Sequence, residues 1–333
     1  MSYEWIDDKQ REDDVKTSCT IGVDLGGQSV KLAVVDDQGN IRLKRQSPID
    51  ASKSVDYLTQ QILGEIRLLT NDALSAGFEP TAVGMVMPGY MDRERTRLTF
   101  AANIPALSGS TFLADLRAGS PLPMRFDADS NAAALAESRF GAGRGVDRLI
   151  VVAVGTGIGG GVIVNGEVLR VREHIAGSLG HVTVDARGPR CKCGGRGCVE
   201  ALASGPVLER LAGEFADADP GSMLAALRAE RGRITGVEIV AALQAGDAAA
   251  QKAVDECGWW LGAGVASWSV IYAPRLVLIA GGIACIGEPL LAAVRRGFEE
   301  VGMPNMVKQA RIGLATLGPD AGVIGAAATA MQD

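Results

Sequence analysis

The sequence predicts a mixed α/β protein built from two related halves. Three observations carry this reading. The chain has 333 residues, and at about 150 residues per domain that length favours two domains. Apolar strand-like runs alternate with helical stretches from Cys19 onward, without a low-complexity linker. A strand, a Gly-rich turn and a second strand then occur twice, as IGVDL-GG-SVKLAVVD from Ile21 and as RLIVVAV-GTGIGGG-VIVNGEVL from Arg148. The repeat is short, but its place at the head of each half suggests an internal duplication.

The elements follow in order. Residues 1–17 are polar and acidic, and a disordered tail is expected; with no apolar stretch they are not a signal peptide. Three strands in quick succession, from Cys19, Ser29 and Ile41, predict an antiparallel start, with a turn at DQGN. Val55, Leu58, Ile62, Ile66 and Leu69 recur at helical spacing and predict a helix over about 53–76. TAVGMVM reads as a buried strand ending at Pro88-Gly89, PMRFDAD as another, and SNAAALAESRF as a helix. After the break GAGRG (141–145), the second strand–turn–strand begins. Helices are expected around 200–215 and 247–273, then a strand in RLVLIAGGI, a helix in EPLLAAVRRGFEEV, a strand in ARIGLATLG and a closing helix in AGVIGAAATAM.

Composition narrows the function. Hydrophobic residues make up 47%, enough for two cores, while aromatics are 5% and glycines number 43, which favours small-residue packing and tight turns over an aromatic-lined pocket. The net charge is 33 − 39 = −6; such a chain repels nucleic acid and anionic membrane surfaces, so neither is an expected partner. No run of about 18 uncharged apolar residues offers a membrane span. Of the six cysteines, Cys191, Cys193 and Cys198 crowd into eight residues, and Cys19, Cys257 and Cys285 lie in apolar sequence, where free thiols pack as small hydrophobes. A reducing cytoplasm fits this usage.

The segment GSLGHVTVDARGPRCKCGGRGCVE (177–200) carries the sharpest motif. His181, Cys191, Cys193 and Cys198 give H-x9-C-x-C-x4-C, four N/S ligands of the kind that close a tetrahedral structural zinc site. Gly194, Gly195 and Gly197 permit the positive φ of a tight knuckle. A redox pair and three unrelated thiols are the alternatives, though C-x-C is not the redox spacing C-x-x-C. With four protein ligands the metal has no open position, so chemistry belongs elsewhere. Three glycine turns are candidates for holding phosphate: DLGGQSVK (24–31) with Gly26 and Gly27, GTGIGGG (155–161), and AGGIACIGE (280–288). None is a Walker motif, and GTGIGG leads into a strand rather than the helix of a dinucleotide fold. Asp127 and Asp129 stand between a strand and a helix. Either caps the helix, or one is a general base aimed into a cleft. Asn103 and Glu200 are polar groups suited to a polyol.

Taken together, DLGGQSVK, GMVMPGYMD, AANIP, DADSNAAALAE, GTGIGGG, LGHVTVDARGPRCKCGGRGCVE and AGGI closely resemble the ROK family of bacterial sugar kinases and regulators, from about residue 19 to the end. The resemblance implies an actin-like ATPase fold: duplicated, ribonuclease H-like α/β domains with an interdomain cleft. A small domain (18–130, joined by a C-terminal helix at 319–333) and a large one (131–318, carrying the zinc loop 177–200) are expected. It further implies Asp129 as catalytic base, and Gly89, Asn103, Ser178, His181 and Glu200 at the sugar. Asp24, Gly26, Gly27, Gln28, Lys31, Gly155, Thr156, Gly157, Gly281 and Gly282 are expected at Mg–ATP, with zinc on His181 and the three cysteines. The implied reaction is phosphorylation of a hexose, glucose at its 6-hydroxyl first, in a homodimer or homotetramer. Family regulators carry a helix-turn-helix ahead of this body; about 18 residues precede the first strand here, so a repressor is not expected.

Two positions depart from the family pattern. Ser178 stands where most family kinases have a sugar-binding Glu, and Gln28 where the first phosphate loop usually has Thr. Losing a charge-assisted hydrogen bond of about 1.5–3 kcal/mol implies either weaker glucose binding, a different sugar or aminosugar, or a binder with little catalysis. The intact Asp129 and GTG turn favour catalysis.

Overall fold

The computed structural model describes residues 17–101, 103–170 and 178–331. Most of the expected tail, together with Gly177 and the last two residues, lies outside them.

The antiparallel start forms as expected. Strands β1 (Thr17–Leu25), β2 (Ser29–Val35) and β3 (Ile41–Pro48) make a meander, and β4 (Phe78–Met87) joins β1 in parallel. The short pair β5 (Tyr90–Met91) and β6 (Leu98–Phe100) follows, and β7 (Met124–Ala128) completes the order β3-β2-β1-β4-β7. The second half repeats this pattern: β8 (Arg148–Val154), β9 (Ile158–Val164) and β10 (Glu167–Val168) form the meander, and β11 (Leu276–Ala280) and β12 (Arg311–Leu314) add in parallel, giving β10-β9-β8-β11-β12. The duplication suspected from two glycine turns is therefore a duplication of whole sheets.

Helix α1 (Val55–Ser75) buries Leu58, Ile62, Ile66 and Leu69 on one face, and its cap Ser54 accepts the Tyr57 N–H at 3.2 Å. It packs with α2 (Phe112–Gly119) over the first core. In the second half, α4 (Val199–Ala203) and α5 (Gly205–Ala218) replace the single helix expected at 200–215. The break follows from Pro206, which has no N–H for a continuous ladder. Helices α6 (Met223–Arg231) and α7 (Gly236–Gln244) lead to the long, Ala- and Gly-rich α8 (Ala248–Tyr272), which packs along α9 (Glu288–Val301); α10 (Pro304–Gln309) closes this layer. Trp268 of α8 is fully buried, with its indole N–H 3.2 Å from the Leu179 carbonyl.

Two helices sit between the sheets. The segment α3 (Asp129–Phe140) packs on β8 and β9, while α11 (Ala321–Ala330) crosses back onto β1 and β4, and α3 and α11 press on each other. Glycine makes this approach possible. An added Cβ would lie 2.1 Å from the Val323 carbonyl oxygen at Gly22, and 1.8 Å from that of Ala326 at Gly84. At Gly325 it would lie 1.9 Å from the Ala132 oxygen.

Candidate active site

Strand β7 ends where α3 begins, so Asp129 is delivered to the opening between the sheets. It is the first helical residue, and the cap position belongs to Ala128, so the capping alternative does not hold for Asp129. Its Oδ1 accepts the neighbouring Ser130 N–H at 2.7 Å. The carboxylate is open to a cleft but ringed by protein, and that desolvation pushes its pKa up. Asp24, at the end of β1, is raised mainly by burial; Lys31 across the ladder opposes the rise, and Asp129 adds to it. Asp24 thus feels the Asp129 carboxylate across the opening.

The cleft holds about 300 Å³ and is lined by Gly89, Asp129, Asn131, Gly159, Arg170, Ser178 and His181, among others. Four of the expected sugar positions therefore meet there: Gly89, Asp129, Ser178 and His181. Gly89 has φ +145°, and a Cβ would come within 2.4 Å of the Phe100 carbonyl oxygen. Asn103 and Glu200 do not line this cleft. Asn103 lies against the first glycine turn, where a Cβ on Gly27 would be 3.0 Å from the Asn103 Cβ. Glu200 turns instead to backbone, its Oε2 accepting the Ile158 N–H at 2.9 Å.

Arg170 and Asn131 were not singled out by the sequence. Asp127, buried and two residues before Asp129, gathers them: Arg170 donates to its Oδ2 through Nε (2.9 Å) and Nη2 (2.7 Å), and Asn131 donates to Oδ1 at 2.9 Å. Arg95 approaches to 3.7 Å. No local signal marks Arg170, which is 43 residues away from Asp127 in sequence.

A second cavity of about 320 Å³ is lined by Gly155, Thr156, Gly205, Pro206, Gly282 and Cys285, with others. Two of the three glycine turns converge here. Gly281 (φ +84°) precedes a short 3-10 helix, Gly282–Ile286, and a Cβ on Gly281 would sit 2.4 Å from the Val154 oxygen. Gly26 and Gly27 close the β1–β2 hairpin, where the Gly26 N–H donates to the Ser29 oxygen at 2.9 Å. The side chain of Gln28 projects to solvent. Cys285 is exposed at this cavity, not packed in apolar surroundings as expected; Cys19 and Cys257 are buried. It sits on the 3-10 turn beyond β11, outside the strand's apolar layer.

His181, Cys191, Cys193 and Cys198 place one ligand atom each within 4.8 Å of one another. Cys193 Sγ lies 3.7 Å from Cys198 Sγ, and Cys191 Sγ lies 3.8 Å from His181 Nδ1. A tetrahedron with metal–sulfur bonds of about 2.3 Å has edges of about 3.8 Å, so the donor set fits zinc. The turn is built by backbone bonds, with Cys191 N–H to Gly195 O at 3.0 Å and Gly197 N–H to Pro189 O at 2.8 Å. Gly194 (φ +91°) and Gly197 (φ +63°) take left-handed backbone as expected; Gly195 does not. Among the described residues no helix is long and apolar enough to cross a membrane.

Comparisons with known proteins agree with this arrangement. The ROK family model matches residues 20–333. A glucokinase of Thermotoga maritima is 33% identical over 311 residues, 92% of this chain and 95% of its own. An N-acetylmannosamine kinase of Citrobacter koseri is 31% identical over 318 residues, covering 94% and 99%. The crystal structure of a ROK family glucokinase from Streptomyces griseus, in complex with glucose and AMPPNP, superposes with a TM-score of 0.76 at 34% identity, covering 95% of this chain and 100% of that one. Paired sheets around a cleft, as in the actin-like ATPases, are the fold of these proteins. The chain belongs to the ROK family and falls with that family's sugar kinases.

Proposed function

We propose that the protein transfers the γ-phosphoryl group of ATP to a hexose, with the 6-hydroxyl of glucose as first acceptor and Asp129 as general base. The observation that carries this is the position of Asp129. It stands at a strand end, with a raised pKa, in a cleft shared with Ser178 and His181. The second cavity, walled by Gly155, Thr156 and Gly282, is suited to nucleotide.

Asp129 would accept the proton of the attacking hydroxyl, and the upward shift of its pKa by desolvation makes it a stronger base. Backbone N–H groups of the glycine turns would meet the charge that spreads over the phosphoryl oxygens. Asp24 fits a role at the magnesium of Mg–ATP, because a cation there relieves its repulsion with Asp129; the ion supplies charge neutralisation on the phosphates. The four-residue knot fits structural zinc, which supplies folding energy and fixes His181 at the cleft. A small domain (18–130 with 319–333) closing on a large one (131–318) over the sugar belongs to the same proposal. Its support is that each sheet carries its own core.

Ser178 favours a second reading. A short hydroxyl at the cleft wall leaves room for a substituted sugar, and N-acetylmannosamine is the acceptor named for one relative. ADP release with Mg–ATP over glucose, mannose, allose, N-acetylglucosamine and N-acetylmannosamine separates the readings. Turnover of glucose first supports the proposal, and turnover of an N-acetylated sugar alone replaces it with the second. Absence of turnover with every sugar sinks both.

A further inference from the structure

Two acids stand two residues apart where the chain passes from one sheet to the other, and their surroundings differ. Strand β7 belongs to the first sheet and ends at Ala128, while α3 begins at Asp129 and packs on β8 and β9 of the second. Asp129 lines the cleft, but the Asp127 side chain is only 1% exposed. The Asp127 carboxylate is also fully engaged. Its Oδ1 accepts the Ala128 N–H and the Asn131 side-chain amide, each at 2.9 Å. Its Oδ2 accepts Arg170 through Nε at 2.9 Å and Nη2 at 2.7 Å. A carboxylate has about four lone-pair sites, so Asp127 has none left for a substrate proton. Of the two acids, only Asp129 is placed to act as a base.

The bonds of Asp127 cross the joint. Asn131 lies in the first turn of α3, and Arg170 follows β10, the last strand of the second meander. From the first half, Arg95 donates to the Phe126 carbonyl oxygen at 2.6 Å and brings a second guanidinium within 3.7 Å of Oδ2. One buried acid of β7 therefore grips the entry to α3 and the cleft wall where Arg170 stands. Charge-assisted bonds of this kind are short and directional, and removing the guanidinium leaves a buried charge short of partners.

We infer that Asp127 and Arg170 are positioning residues for the Asp129 base: their ion pair fixes the β7–α3 joint, and with it the direction in which the Asp129 carboxylate meets the acceptor hydroxyl. The role of Asp129 rests on the kinase reading above; the ion pair itself does not. Misplacing a reacting group by about 1 Å costs about 10²-fold in rate, so the pair acts on kcat more than on sugar affinity.

The test compares full-length wild type with Arg170→Ala, Arg170→Lys, Asp127→Asn and the double variant carrying Asp127→Asn and Arg170→Ala. ADP release with Mg–ATP gives kcat, and calorimetry gives the affinity for glucose, or for N-acetylmannosamine if wild type turns over that sugar alone. In Arg170→Ala, kcat falls about 10²-fold while sugar affinity holds within about threefold. Arg170 borders the open cleft, so added guanidinium ion restores part of the lost kcat, and sodium at the same ionic strength does not. Arg170→Lys keeps the charge without the planar fork and falls between. An unchanged kcat overturns the inference. A fall in sugar affinity with kcat unaffected overturns it too, and makes Arg170 a sugar contact. Wild type that turns over none of the sugars sinks the kinase reading instead. Denaturant unfolding then decides the ion pair: a double variant no less stable than either single one supports it, and strictly additive losses overturn it.

Discussion

A carboxylate with a raised pKa is a burden on its own fold. For Asp129 the native state favours the protonated form, so its contribution to stability is present at low pH and is lost as pH rises through the native pKa. Above its unfolded-state pKa the group therefore costs stability. Asp129→Asn keeps the Oδ1 acceptor for Ser130 and removes the charge. It is expected to raise the melting temperature of the ligand-free protein while turnover falls by about 10²–10⁴-fold; calorimetry and an ADP-release assay check both halves. A lower melting temperature would mean that the charge is stabilised in a way the geometry does not show. For the same reason the acid limb of kcat/KM should lie above the ordinary carboxylate range. At this scale the sequence was legible where one residue type admits few uses. The four knot residues lie within reach of one another, and Asp129 lines a cleft with Ser178 and His181. Arg170 did not announce itself, because its significance lies in Asp127, a partner across the fold. Asn103 and Glu200 were read as polar groups suited to a polyol, and Glu200 also accepts the Ile158 backbone N–H.

Among the elements, the knot is the one whose form would depend most on the proposed zinc. Residues 182–198 contain little regular structure beyond isolated bridges at Thr183–Cys198 and Arg190–Arg196, and on that proposal four ligand bonds would replace the core that such a segment lacks. Metal analysis should find one zinc per chain, and Cys193→Ser should lower both metal content and melting temperature. A metal-free wild type with an unchanged melting temperature would remove zinc from the proposal. The helices missed between the two expected ones make a different point. Helix α7 opens with a capping box, Thr235 with Glu238 bonded in both directions, and TGVE is readable as such in the sequence. Helix α6 offers only Ser222, whose hydroxyl accepts the Ala225 N–H at 3.1 Å, and it buries just Leu224. Its weak apolar stripe gives periodicity little to detect.

For the whole molecule, the meeting of α3 and α11 between two matched sheets sets the architecture, and glycine sets the distance. Gly84→Ala would push a methyl carbon into the Ala326 carbonyl, so either α11 lifts or β4 shifts. A destabilisation of at least about 1–3 kcal/mol is expected, read from denaturant unfolding; a substitution tolerated without loss would mean that α11 is only loosely seated. Sequence periodicity finds α11, because AGVIGAAATA is apolar, but it cannot say on which sheet the helix lies. That placement came from family resemblance; in the structure α11 contacts β1 and β4.

This placement reverses the order in which the protein is made. Ala33 and Val35 of the first sheet are covered by Val323 and Ala327, residues that leave the ribosome nearly three hundred positions later. A nascent first half therefore emerges with one apolar face bare, and it has to wait for almost the whole second half before that face is sealed. Vectorial folding can finish the second sheet's outer core while the inner face of the first still waits for its cover.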